Sequence, residues 1–157
     1  MLNRQKILSA NISDIDWMVM LSYKKRLSYQ KAQPIFWKMA NNSNQIQHQY
    51  FNELLNDHRI YALKTNDHQA FLIAKIIDPP EVYDAGKTLM IDDFCVSKPS
   101  LWMTHGKLLI DEVVKQSKQQ DVKQILVVSG NHDRAKNKFL SSLNLNVMSR
   151  WYSKKLS

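Results

Sequence analysis

The sequence Leu89-Met-Ile-Asp-Asp-Phe-Cys-Val96 decides the fold, together with the segment that follows it. It is an apolar run of strand length, interrupted only by Asp92 and Asp93. Ser97 to His105 then predicts a short loop, and Gly106-Lys-Leu-Leu-Ile-Asp-Glu-Val-Val114 has the apolar spacing of a helix. A strand that enters a helix through a tight loop directs free N–H groups and the positive end of a helix dipole at one point. The segment therefore predicts an anion site beside two carboxylates.

Composition sets the outer limits. With 157 residues, of which 44% are hydrophobic, we expect residues 1–157 to form one globular domain. The formal charge of +8 favours an anionic partner such as nucleic acid, an acidic membrane or a phosphorylated cofactor. The basic residues are scattered, however, and no nucleic-acid-binding module is present, so we do not expect nucleic acid as the partner.

Cysteine, histidine and hydropathy narrow the class further. Cys95 is the single cysteine, which excludes an internal disulfide, and its place in an apolar strand predicts a buried thiol. The five histidines show no metal-ligand spacing, so no metal is expected. No segment approaches the roughly 18 apolar residues of a membrane span, and the N-terminus has no signal-peptide pattern. We expect a cytoplasmic protein without a membrane partner.

The first half of the chain predicts one strand, two helices and a hairpin. Gln5 to Ser9 is a short strand, and Ser13-Asp-Ile-Asp16 resembles a capping box that starts a helix. The buried stripe of that helix is expected to contain Ile15, Met18, Val19, Tyr23 and Leu27. Pro34 ends or kinks this segment. The remaining elements are a helix at Gln45 to Asn56 and strands at Arg59 to Lys64 and Gln69 to Ile77, joined by a turn at Thr65 to His68.

The second half predicts alternating strands and helices. After the strand at Thr88 to Val96 come a helix at about Thr104 to Gln119 and a buried strand at Gln124 to Val128. A fourth helix follows Ser129 to Asp133, on the spacing of Ala135, Phe139 and Leu143, and Asn144 suits the residue that closes it. A final strand is expected at Leu145 to Lys155.

In this order, β-α-α-β-β-β-α-β-α-β, with a phosphate-type turn after the fourth strand, the chain resembles the GNAT superfamily of acyl-CoA N-acyltransferases. The resemblance implies an α/β (α+β) fold with a mixed central sheet, whose fourth and fifth strands splay apart. The family signature at the start of the third helix is Gln or Arg, two residues, Gly, any residue, then Gly or Ala. Here Leu101 and Thr104 depart from it, and only Gly106 matches.

The resemblance implies acetyl-CoA or another acyl-CoA as cofactor. Backbone atoms of Phe94, Cys95 and Val96 would pair with its pantetheine arm. The residues that would surround the pyrophosphate are Trp102, Met103, Thr104, His105, Gly106 and Lys107, with Lys98 as a further source of positive charge. Asp133 aligns with an asparagine that often touches the cofactor in the family.

The implied reaction is direct attack of a primary amine, on a small molecule or a protein, on the acyl thioester. Asp92 and Asp93 are the available bases, and strand alternation is expected to put them on opposite faces. The family's general acid is a tyrosine in whose register Leu140 lies here. Tyr83, Tyr152 and His105 remain open as substitutes.

Acceptor and activity stay open on the sequence alone. Trp37, which follows the break at Pro34, and Tyr83 are candidates for the acceptor pocket. Because the signature is degenerate, a catalytically weak or inactive module that binds acyl-CoA, with a regulatory or interaction role, is the alternative to an enzyme. A homodimer is neither required nor excluded.

Overall fold

A computed structural model describes residues 5–157. A five-stranded sheet in the order β1-β2-β3-β4-β5 forms its centre. The first four strands are antiparallel neighbours, and β4 pairs with β5 in parallel. The strands are β1 Ile7–Ser9, β2 Ile60–Thr65, β3 Ala70–Ile77, β4 Thr88–Val96 and β5 Gln124–Val127.

Helices cover both faces of the sheet. They are α1 Ile15–Ala32, α2 Ser43–Leu55, α3 Lys107–Ser117 and α4 Arg134–Ser142. On one face, α1 and α2 bury an apolar cluster that includes Met18, Phe51 and Phe71. On the other face, α3 and α4 cover a second cluster around Phe94 and Phe139. The sheet is thus sandwiched between two helical layers, the arrangement expected for a mixed α/β fold.

Most predicted elements are confirmed in place and type, but the prediction that the strand at Gln124 to Val128 is buried is wrong, because β5 lies at the edge of the sheet and has no buried residue. The strand Thr88–Val96 has the predicted limits, and the turn after Thr65 joins β2 to β3 as a hairpin. Asn144, which follows α4, adopts φ 62°, the left-handed conformation that suits a helix-closing asparagine. In α1, the prediction for Leu27 is wrong, since its side chain is exposed. The buried residues of α1 end at Ser22, before the turn that contains Leu27.

The third helical segment starts earlier than predicted. The loop expected at Ser97 to His105 is largely helical: a 3-10 turn at Pro99–Leu101 continues through a π-helical turn at Trp102–Gly106 into α3. Pro99 stands at the first helical position, where the fixed φ of proline is favourable. Trp102 and Gly106 are buried at helical spacing from Leu109, so the buried stripe of α3 extends N-terminally into these turns.

The final strand predicted at Leu145 to Lys155 is wrong. Residues 145–157 contain no helix or strand, and the side chains of Val147, Trp151 and Tyr152 are 75%, 84% and 87% exposed. Leu145 alone packs against the core from this segment. A strand needs a paired neighbour, and a pattern of β-forming residues does not itself supply one.

In residues 5–157, no helix combines the length and the apolar character required to cross a membrane.

The exposed C-terminal segment allows a direct test of this architecture. A chain ending at Asn146 should unfold with a free energy within about 0.5 kcal/mol of the full chain, because the deleted side chains are exposed. Phe139→Ala, which truncates a side chain that is 1% exposed, should cost about 3–5 kcal/mol. Urea unfolding followed by circular dichroism measures both. A loss of 2 kcal/mol or more on truncation would mean that the segment pairs with the sheet after all.

Candidate functional site

The central feature of the site is a gap between β4 and β5. Their parallel pairing covers only Thr88 to Ile91 on β4, and the last contact is the hydrogen bond from Val128 N to Ile91 O at 3.2 Å. Beyond this point, β4 continues to Val96 paired with β3 alone. The two strands therefore splay apart, as predicted, and the edge of β4 from Asp92 to Val96 has no strand partner on this side.

A β-bulge lies where the gap opens. Ile73 of β3 faces Asp93, whereas its neighbour Ala74 faces Ile91, so Asp92 is the extra residue. The bulge shifts the alternation of side chains: Ile91 and Phe94 both join the cluster under α3 and α4. The expectation that Asp92 and Asp93 point to opposite faces is therefore wrong, and both carboxylates lie on the α1–α2 side.

Asp93 is held in an ion pair with α1. The Nζ atom of Lys25 lies 2.9 Å from Oδ1 of Asp93, and both side chains are largely buried. Burial disfavours the charged lysine, but the negative charge of Asp93 and its hydrogen bond to Nζ raise the pKa of Lys25 above its ordinary value overall. Lys25 therefore keeps its proton and fixes the Asp93 carboxylate in place.

Asp92 has a different environment. Its carboxylate is half-buried and has no hydrogen-bond or ion-pair partner among residues 5–157. Tyr50 of α2 lies close enough to sense both acids, since burial and then the charges of Asp92 and Asp93 raise the pKa of its hydroxyl. Of the two candidate bases, Asp92 is the one free to accept a proton.

Lys136 of α4 occupies the gap from the other face. Its side chain is only 2% exposed, and Nζ donates to the backbone oxygen of Val128 at 2.8 Å and of Phe94 at 3.4 Å. The ammonium also lies over the rings of Phe94 and Trp102, 5.5 and 5.3 Å from their centroids. One side chain thus connects β4 to the segment after β5 at the point where the strands part.

Burial controls the acidity of the groups in this gap. Desolvation, with a contribution from the charge of Lys25, lowers the pKa of Lys136 to about 8. Desolvation raises the pKa of the Cys95 thiol, which is buried as predicted. Cys95 is therefore a neutral thiol rather than a nucleophilic thiolate at neutral pH.

Two residues of the predicted phosphate turn are core residues. Trp102 is 5% exposed and stacks on Phe139, with centroids 5.6 Å apart. A Cβ atom at Gly106 would lie 3.0 Å from the Trp102 ring and 3.4 Å from Phe139. Because Gly106 has no side chain, these two rings can pack directly against the helix. The buried side chain of Trp102 and the absence of a side chain at Gly106 shape the turn from within, so only backbone atoms of these two residues are available to a ligand.

The other side chains of the turn divide into paired and free groups. His105 Nε2 lies 2.8 Å from Oδ2 of Asp67 in the β2–β3 turn, and Lys107 Nζ lies 2.6 Å from Asp111 Oδ2. Two side chains predicted to surround the pyrophosphate, one of them the predicted cation Lys107, are therefore paired with carboxylates of the protein itself. Met103 and Thr104 are exposed at the surface of the helical turn.

Trp37 is linked through aromatic contacts to the segment that follows β5. Its half-exposed ring packs edge-on against Tyr29 of α1 at 5.2 Å, and Tyr29 packs against His132 at 4.7 Å. His132 follows β5, and its Nε2 lies 3.2 Å from Ser28 Oγ. This aromatic chain connects the break after α1 to the segment that borders the gap.

Tyr83, the other candidate for the acceptor pocket, is not brought to this place. It lies in the loop before β4, at the end of that strand opposite Val96, and is 66% exposed. Of the other candidates for the general acid, Tyr152 is exposed outside the core, and His105 is paired with Asp67. Leu140, in the family's tyrosine register, is buried.

Sequence reasoning missed the two lysines of the gap. Lys136 lies on the buried stripe of α4, three and four residues before Phe139 and Leu140. Lys25 similarly follows Leu21 by four residues on α1. The sequence signal for both is a lysine at an apolar position of an amphipathic helix. Lysine is rarely buried without a partner, so such a position indicates a buried polar contact.

Comparison with known proteins identifies the fold. No protein-family model matches the chain, and no curated protein matches it in sequence. Solved structures match nearly all of it. The tetramutant of BH1408 from Bacillus halodurans is 16% identical, over 96% of this chain and 99% of that chain, with a TM-score of 0.81.

Two further structures carry an activity in their names. A predicted acetyltransferase with acetyl-CoA from Clostridium acetobutylicum is 17% identical over 97% of this chain and 96% of that chain, with a TM-score of 0.69. An aminoglycoside acetyltransferase from an uncultured soil metagenomic sample, in complex with sisomicin, is 15% identical over 98% of both chains, with a TM-score of 0.64. The chain therefore has the fold of GNAT acetyltransferases, and the resemblance noted in the sequence is confirmed at the level of the fold.

The lowered pKa of Lys136 predicts a dependence of stability on pH. Between about pH 8 and the pKa of an unfolded lysine, roughly 10.4, the unfolded chain binds the proton that the folded chain has lost. The contribution of Lys136 to the free energy of unfolding should therefore rise with pH over this range. Measured against Lys136→Met, the free energy of unfolding of the wild type should increase by about 1–2 kcal/mol from pH 7.5 to 9.5. Urea titrations at several pH values test this, and a flat difference would contradict it.

Proposed function

We propose that residues 1–157 form one cytoplasmic acyltransferase domain that moves an acyl group from acyl-CoA to a primary amine of a small molecule or protein. The observation that carries the proposal is the gap between β4 and β5, where the edge of β4 at Phe94 to Val96 has no strand partner. An extended chain with amide groups can pair with such an edge as a strand would. The pantetheine arm of CoA has this character.

The start of the third helical segment supports the same assignment. The helix begins at Pro99, directly after β4, so its positive end adjoins the unpaired strand edge. In our proposal, the backbone from Trp102 to Lys107 and the exposed side chains of Lys98, Met103 and Thr104 border the pyrophosphate. The buried side chain of Trp102 and the absence of a side chain at Gly106 shape this turn. Asp133, whose carboxylate caps Lys136 N at 3.0 Å, borders the cofactor from α4.

Asp92 is our proposed base. An amine acceptor reaches the active site as an ammonium ion and must lose a proton before it can attack the thioester. The bulge presents the free Asp92 carboxylate on the α1–α2 side, while Lys25 holds Asp93 beside it. Asp93 is then a positioning residue, and Trp37 borders the acceptor.

Binding of CoA is the first test. At about 100 times its Kd, CoA should stabilise the wild type by about 2.7 kcal/mol, which corresponds to roughly 5–10 °C in Tm. Thr104→Glu adds a negative charge at the proposed pyrophosphate site and should weaken binding about tenfold at low salt. Gln119→Glu adds the same charge beyond the other end of α3 and should leave binding unchanged. Differential scanning fluorimetry measures all three, and equal effects of the two substitutions would place the phosphate elsewhere.

Turnover is the second test. Asp92→Asn should lower kcat for thiol release from acetyl-CoA about 100-fold, with CoA stabilisation retained, because general-base catalysis contributes at least this factor. Asp84→Asn, in the exposed loop before β4, removes the same charge away from the site and serves as control. Unchanged turnover in Asp92→Asn would exclude this residue as the base. Stabilisation by CoA without thiol release, across a broad panel of primary amines, would instead favour a binding module without catalysis.

A further inference from the structure

We propose that Lys136 is the proton donor to the CoA thiolate that leaves in the acyl transfer. This inference rests on the proposed function, because it assigns a role within the same site. It concerns a group that neither the sequence nor the fold comparison singles out.

Lys136 Nζ lies at the point where β4 and β5 part. The backbone oxygens that it contacts, of Val128 and Phe94, belong to the two chain segments that separate there. Phe94 is also the first residue of the strand edge proposed to pair with pantetheine. In our proposal, a thioester carried along this edge comes next to Phe94, whose backbone oxygen Nζ contacts.

The contacts of Nζ leave one donor free. An ammonium group has three N–H bonds, and two carbonyl oxygens account for two of them. Among residues 5–157, no third acceptor within hydrogen-bond distance is present. The rings of Phe94 and Trp102 stabilise the cationic form without accepting its proton. A developing thiolate would provide the missing acceptor.

The acidity of Lys136 suits this transfer. Its pKa of about 8 is close to the roughly 8.5 of an ordinary alkyl thiol, so the proton moves between groups of similar affinity. The charged and titratable groups that face it are Lys25 of α1, Cys95 and Asp93 of β4, and Asp133 at the start of α4. Lys25 favours proton loss, whereas the acidic groups oppose it.

Other groups of the gap are poorly suited to this task. Leu140, one turn further along α4, has no proton to give. Cys95 is held as a buried neutral thiol, and the pKa of Tyr29 is raised by burial. Lys25 is tied to Asp93 with a raised pKa, which makes it a weak acid. Lys136 is the group whose acidity and position both fit.

The proposed step transfers the acyl group to nitrogen and a proton to sulfur. The neutral amine adds to the thioester carbonyl, and the tetrahedral intermediate collapses with cleavage of the C–S bond, whose electron pair leaves on sulfur. The Lys136 ammonium gives its proton to this sulfur, which yields CoA thiol and a neutral lysine. The proton lost by the acceptor nitrogen passes to Asp92 and then to water. Lys136 regains a proton from water before the next cycle.

The experiment compares two acyl donors in matched variants. Lys136→Met keeps the length of the side chain without its proton, and Lys138→Met changes an exposed lysine on the same helix. With acetyl-CoA and the best amine of a panel, Lys136→Met should lower kcat/KM about 100-fold, and Lys138→Met less than twofold. With the acetyl thioester of 4-nitrothiophenol, whose acidic thiol leaves without protonation, the defect of Lys136→Met should shrink to less than tenfold.

The outcomes separate this inference from the proposed function. If wild type neither binds CoA nor releases thiol, the proposed function fails and the role of Lys136 with it. If wild type is active and Lys136→Met is equally impaired with both donors, Lys136 only holds the two segments together and the inference is overturned. If Lys136→Met does not fold, the wild type decides: kcat with acetyl-CoA should fall as pH rises through the pKa of the donor. A kcat that stays constant to pH 10 would overturn the inference.

Discussion

The parting of β4 from β5 is the constraint on which the rest of the structure depends. A strand that loses its neighbour inside a protein leaves backbone groups that must find other partners, since an unpaired buried polar group is costly. Lys136 supplies part of the answer by donating to Phe94 O and Val128 O, the two oxygens beside the vertex. The strand edge beyond this point stays without a strand partner. A strand edge without a strand partner is a natural place for a ligand that can pair as a strand.

A small set of charges surrounds this gap in an otherwise apolar centre. Lys25 and Lys136 approach it from opposite faces of the sheet, and Asp93 pairs with the first. Each charge alters the others: Asp93 helps Lys25 to keep its proton, while Lys25 makes Lys136 easier to deprotonate. The pKa of Lys25 is thereby raised, so that this lysine stays a cation, whereas the pKa of Lys136 is lowered to about 8. Environments that separate the pKa values of similar groups are characteristic of functional sites.

Most of the fold could be predicted because its elements are locally encoded. The alternation and apolar runs of β2 to β5, the turn after Thr65 and the closing Asn144 all follow from backbone preferences over a few residues. The last strand could not be predicted, because Val147, Trp151 and Tyr152 have strand-forming character but no neighbouring strand. The start of the third helix was also misplaced, because burial of Trp102 against Phe139 extends it, and that contact joins residues 37 positions apart.

The candidate site divides in the same way. The sequence by itself determined that β4 carries two adjacent acids and leads into a helix, since both are properties of contiguous residues. Only the tertiary structure decided which acid is free. A bulge against β3 puts Asp92 and Asp93 on the same side of the sheet, and Lys25 of α1 pairs with Asp93. It also decided that His105 and Lys107 are engaged with other acids and that Lys136 fills the vertex of the gap. Acidity and hydrogen bonding depend on groups brought together from distant parts of the chain, and no local pattern contains them.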